Sequence, residues 1–192
     1  MNDDRGHSLA EILLALTILS LGSTAVVPAV KAYIIDSRLV GAALIFKGTF
    51  RRARSIAVRS GAQTAIRFEE RDDGIYFALY ADGNYNGVLS REIRSGMDRQ
   101  IEGPQRLDGG VSGVRVAVNP GLPKMPPGRG KIASSDPIRF GRSNMVSFSP
   151  LGTATPGTFY LASEGGQAGV RVTGTSARVR VMIWRGGLWR QR

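Results

Sequence analysis

Three groups of residues in this sequence could do chemistry. The first is Glu11, a carboxylate at the edge of an uncharged apolar run, ILLALTILSLGSTAVVPAV, over residues 12–30. A carboxylate held against hydrocarbon is costly unless a cation meets it, so its chemistry is ion pairing. The second is a set of six arginines, Arg171, Arg178, Arg180, Arg185, Arg190 and Arg192, that fill the last 22 positions with no acid among them. Arginines in that density attract polyanions, whether DNA, anionic lipid or an acidic protein face, or they simply keep a strand soluble. The third is Asp82, Asn84 and Asn86 at alternate positions before Gly87. That spacing opens a calcium loop of the helix-loop-helix kind, but the closing carboxylate, Glu92, stands at the eleventh position instead of the twelfth. The other reading is a hairpin turn in which Asp-Gly and Asn-Gly serve the backbone.

The same inventory excludes a great deal. There is no cysteine, and His7 is the single histidine. Disulfides, thiolate metal sites, cysteine nucleophiles, Ser-His-Asp triads and multi-histidine centres all lack their raw material. An enzyme is not expected, and calcium at Asp82, Asn84, Asn86 and Glu92 is the single cofactor the residues could hold.

The elements that must position these groups follow from periodicity. The run 12–30 would span about 28 Å as a helix, close to a bilayer core. On its own it fits a cleaved secretory signal, a plain single-span anchor or the first helix of a filament subunit. Beyond Pro28 the pattern becomes amphipathic, with Ile35, Leu39, Ala42, Phe46, Phe50, Ala53 and Ala57 three or four residues apart. This predicts one long helix that stops at Ser60-Gly61. After Gly61 the period is two, at Thr64, Ile66 and Phe68, at Ile75, Phe77 and Leu79, at Val114, Val116 and Val118, and again at Val146, Phe159, Val170 and Val179. The 25 glycines and 9 prolines of the 192 residues supply turns between short strands. The segment 119–130, NPGLPKMPPGRG, reads as a long surface loop. Net charge is uneven: residues 1–96 carry 12 basic and 10 acidic side chains, residues 97–192 carry 14 and 5. If the strand at Val170 pairs with that at Val179, Arg171 lies opposite Arg180, both pointing outward, and like charges facing one another call for an anion.

The segment Gly6-His7-Ser8-Leu9-Ala10-Glu11-Ile12-Leu13-Leu14 resembles the processing signal of type IV prepilins and pseudopilins. That signal is a glycine, an apolar residue, Ser or Thr, Leu, any residue and Glu, followed by a long apolar run. The resemblance implies an α+β pilin-like fold. In it, a long N-terminal helix, membrane-spanning in its first half, packs on a C-terminal antiparallel β-sheet or β-sandwich head. It implies a leader over 1–6, a helix over 7–60 with 12–30 in membrane or filament core, and a head over 61–192. Prepilin peptidase would cut between Gly6 and His7, and the freed amine would meet Glu11 of a neighbouring subunit. Gly22 and Pro28 bound the stretch where such helices lose helicity in filaments.

Within that family the head resembles the GspH/FimT group, through Phe50-Arg51-Arg52-Ala53-Arg54-Ser55-Ile56-Ala57, the turn Val146 to Ala154, and the closing Arg178-x-Arg180 strand. The implied function is that of a minor pilin or pseudopilin of a type II secretion pseudopilus or type IV pilus. It would be held in the bacterial inner membrane by a single pass, with its head in the periplasm, until it joins a fibre of other pilins. The alternative is a DNA-binding minor pilin of natural transformation, with Arg171, Arg178, Arg180, Arg185 and Arg190 as its phosphate contacts.

Overall fold

The computed structural model describes residues 8–107, 111–119, 121–132, 136–141 and 143–192, with the backbone alone for residues 21–25. Helix α1 runs Leu9–Ser60 over 52 residues and ends where Gly61 takes φ 67°. A glycine has no Cβ to clash in that left-handed conformation, so the predicted stop is where the helix ends. Pro28 sits inside α1, and the backbone is helical across 22–28. The loss of helicity expected there is absent from the single chain, because one missing N–H removes one backbone bond while the turns on either side keep theirs.

No helix among the described residues is long and apolar enough to cross a membrane. The expected span over 12–30 is therefore not supported by the fold. The side chains of residues 21–25, in the middle of that run, fall outside the described ones. What is left on either side, 12–20 and 26–30, is shorter than the roughly 20 residues that a bilayer core requires.

Among its described residues the head contains ten strands and one short helix. In chain order these are β1 Thr64–Arg71, β2 Gly74–Ala81, α2 Ser90–Ser95, β3 Arg99–Arg106, β4 Arg115–Val116 and β5 Ile138–Arg139. Then come β6 Met145–Phe148, β7 Gly157–Ser163, β8 Gly166–Val172, β9 Val179–Arg185 and β10 Leu188–Gln191. Two antiparallel sheets result, one ordered β3-β2-β1-β6 and the other β10-β9-β8-β7-β4 with β5 also on β7. Helix α1 lies against β1, β6, β7, β8 and β9, touching both sheets.

The amphipathic stripe of α1 is what joins them. Leu39, Ala42, Ala43, Phe46, Phe50, Ala53 and Ala57 are all buried. Phe46 meets Phe159 of the second sheet at 4.9 Å and Phe77 of the first at 5.8 Å, both edge to face. Phe50 meets Phe140 at 5.8 Å and Phe68 at 6.4 Å. Alanines at the remaining stripe positions let the sheets approach closely. The buried Thr64 hydroxyl donates to the Ala53 carbonyl at 2.8 Å and ties β1 to the helix. Hydrophobic burial of this extent dominates the stability of a small head.

Candidate functional site

The surface that most needs a partner is the first half of α1. Leu9, Ile12, Leu13, Leu14, Leu16, Ile18, Leu19, Val26, Val27 and Val30 are between 48% and 76% exposed. The hydroxyls within it bond back to their own helix, Thr17 Oγ1 to the Leu13 carbonyl and Ser20 Oγ to the Leu16 carbonyl, both at 2.8 Å. Both hydroxyls are thereby satisfied before any neighbour arrives, which removes the penalty for burying them. Glu11 lies exposed in the first turn, where the positive end of the helix dipole favours a carboxylate. The proposed cleavage residues Gly6 and His7 lie outside the described residues, as does the side-chain surface at Gly22.

The C-terminal arginines do not form the expected strip. Arg171 does stand opposite Arg180 in the β8–β9 ladder. Its side chain, however, turns onto the segment that follows β4. Nε donates to Thr158 Oγ1 at 3.0 Å, and Nη1 to the carbonyls of Met125 and Pro126 at 2.9 and 2.7 Å. Burial pulls its pKa down, Tyr160 opposes the shift and Arg180 adds to it. Arg180 is half-buried with its Nε unpartnered. Arg185 forms an ion pair with Asp36 of α1. Arg178 and Arg190 stand exposed, as does Arg192.

The physical reason is that the 119–130 segment is more than a surface loop. It folds back over the outer face of the second sheet, where Met125 and Ile132 are fully buried. Gly169 gives Met125 its seat, since a Cβ there would lie 2.6 Å from the Met125 sulfur. The Trp189 indole donates to the Pro123 carbonyl at 2.9 Å. Gln167, completely buried, accepts from the Asn119 N–H at 2.7 Å and donates to the carbonyls of Ala117 and Leu161 at 2.9 and 2.8 Å. Arg171 is thus the outer latch of a clasp. The run of Pro and Gly residues hid this role, and the one sequence signal was an apolar methionine in their midst.

The Asp82 loop does converge, as a hydrogen-bonded turn. Asp82 Oδ1 accepts from the N–H groups of Asn84 and Tyr85 at 3.0 and 2.8 Å, and Oδ2 from that of Gly87 at 2.7 Å. Glu92 accepts from the side-chain amides of Asn84 and Asn86 at 3.2 and 3.0 Å. Asp98, absent from the sequence reading, accepts from the N–H groups of Gly83 and Leu89 at 3.2 and 2.7 Å. Among the described residues no group of three or more His, Cys, Asp or Glu side chains is placed to hold a metal ion. In this arrangement Asp82 and Asp98 hold backbone and Glu92 holds two side-chain amides, while Val88, and Ile93 of α2, pack onto the first sheet.

Comparison with curated proteins and with solved structures gives no match. A family model described as type II transport protein GspH matches residues 42–178. The match begins on the buried half of α1, runs through the first sheet and through the second as far as β8, and stops one residue before β9. The chain belongs to the GspH family of type II transport proteins.

Proposed function

We propose that this chain is a minor pseudopilin, a structural subunit that joins an envelope fibre by burying the first half of its helix among those of its neighbours. One observation carries the reading: within a single continuous helix, the second half is covered by the head while the first half exposes its apolar side chains. In this account prepilin peptidase cleaves after Gly6, and the amine of His7 neutralises Glu11 of an adjacent subunit. That pairing is far stronger in an apolar filament core than in water. Before assembly the same surface rests in the inner membrane, with the head in the periplasm, and the uncharged sequence 12–30 supports that placement.

The test is a Glu11→Leu variant in the cell of origin, followed by N-terminal mass analysis and fibre fractionation. The expected result is a mature chain beginning at His7 that is processed normally but recovered in fibres at least tenfold less than wild type. A wild-type yield in fibres overturns the pairing. DNA capture has less support from the geometry, because Arg171 is spent on the clasp and Arg185 on Asp36.

A further inference from the structure

Resting on the placement of α1 in lipid just given, we propose that the β9–β10 hairpin is a foot by which the head stands on the membrane surface, its tip lying in the lipid headgroup layer. The two strands join through Gly186 and Gly187, at φ 55° and 81°. Two successive positive φ values belong to the tight turn that right-twisted strands favour, so the tip projects without a loop. Leu188, the residue that follows, is 62% exposed. A large apolar side chain displayed at the end of a glycine turn is unexplained by anything within the head.

The position of the tip follows from its contacts. Arg185 pairs with Asp36 of α1. An open cleft beside it, of about 520 Å³, is lined by Ala32, Tyr33, Asp36, Glu164, Arg185 and Gly186 among others. Ala32 is two residues past Val30, the last of the uncharged run, or about 3 Å along a helix. The headgroup layer extends roughly 5–8 Å beyond the hydrocarbon core on each side. With the apolar run in the core, the hairpin tip falls within that layer.

The chemistry of the tip suits it to this place. Tyr33 is 73% exposed on the adjoining helix, and Trp184 is half-buried 5.6 Å from Trp189, whose indole N–H is already held by the Pro123 carbonyl. Aromatic rings with one polar edge concentrate at membrane interfaces. Lys31 and Arg190 are exposed at the same end of the head, Asp36 is taken by Arg185, and Glu164 is the remaining carboxylate. A neighbouring subunit could cover the same residues, but the foot is continuous with the apolar helix surface and needs no second chain to reach lipid.

The chain has no cysteine, so single-cysteine variants of the full chain can be labelled with an environment-sensitive nitrobenzoxadiazole dye. Leu188→Cys, Ile18→Cys and Tyr85→Cys are placed one chain per nanodisc of phosphatidylethanolamine and phosphatidylglycerol. Tyr85 belongs to the loop whose Val88 N–H bonds Gln63, just past the end of α1. That end is 24 residues, or about 36 Å, above Asp36. A nitroxide on the lipid headgroup is expected to reduce emission from position 188 at least twofold and to leave position 85 unchanged, while an acyl-chain nitroxide quenches position 18. Quenching at 18 without quenching at 188 overturns the foot and leaves the helix placement intact. Absence of quenching at 18 overturns the placement and the foot with it. Quenching at 188 that requires two chains per disc assigns the contact to a second copy and likewise overturns the proposal.

Discussion

The two halves of α1 share one unbroken backbone and a similar supply of apolar side chains, yet they meet opposite fates. In the second half the apolar residues recur every three or four positions among Arg38, Lys47, Arg51 and Arg54, and that stripe is buried against both sheets. In the first half no charge interrupts residues 12–30, and the large apolar side chains described there stay exposed in the single chain. A stripe needs one partner surface, whereas an apolar cylinder needs an environment that surrounds it. The difference marks the second half as belonging to the fold and the first half as belonging to the assembly.

The comparison breaks most directly at Phe50. Phe50→Ala should cost the head about 3–5 kcal/mol, read from urea unfolding of the detergent-solubilised chain, because the fully buried ring fills a site between Phe68, Phe140 and Phe148. The matching change in the first half, Leu16→Ala, should move the same transition by no more than about 0.5 kcal/mol. Equal effects would mean that the halves are not energetically separate.

A smaller effect is expected at the clasp. Arg171→Ala removes three hydrogen bonds to the 119–130 segment and the side chain of Thr158. Charge-assisted bonds of this kind contribute roughly 1.5–3 kcal/mol. Tryptic cleavage after Lys124 and Arg129, both exposed, should accelerate at least tenfold, with little change in the α1 packing reported by Phe50. Unchanged cleavage would show that Met125 alone holds the segment.

The smallest effect is a pH dependence on the β1–β2 turn. The Tyr76 hydroxyl donates to Asp73 at 2.6 Å. This bond lowers the Asp73 pKa and raises that of Tyr76. A lowered carboxylate pKa contributes stability that is present above its unfolded value and lost as pH falls through the folded one. A raised phenol pKa contributes stability that is present below its unfolded value and lost as pH rises through the folded one. The turn should therefore hold at neutral pH and loosen at both extremes. Amide exchange at Gly74 across a pH series measures it, and Tyr76→Phe should abolish both limbs.

The period-two segments at β1, β2, β6, β7, β8 and β9 were legible because large apolar residues alternate on the face each turns toward α1 and the core, and the α1 stripe because its spacing matches a helix. Even the Arg171–Arg180 register could be read from the chain. The strands that escaped notice are the two-residue β5 and the edge strands β3 and β10, whose side chains are mostly exposed. β3 also carries Pro104, which only an edge tolerates. Their partners, not their own pattern, make them strands. The candidate site was half legible. Glu11 and the apolar run stood out by type and position, whereas the clasp over β8 depends on Gln167, Gly169 and Met125 meeting from distant parts of the chain. Nothing local in any of the three announces that meeting. The arginines misled for the same reason: register fixes which residue lies opposite, but the fate of a long side chain is set by the loop that folds above it.

The central claim is that the exposed half of α1 serves assembly and not the stability of the head. Leu16→Asp tests it most directly, by comparing the yield of chain in sheared fibres with the urea midpoint of the same purified protein. The account predicts at least a tenfold loss from fibres with an unchanged midpoint. Normal incorporation into fibres, or a head that unfolds at markedly lower urea, would contradict it.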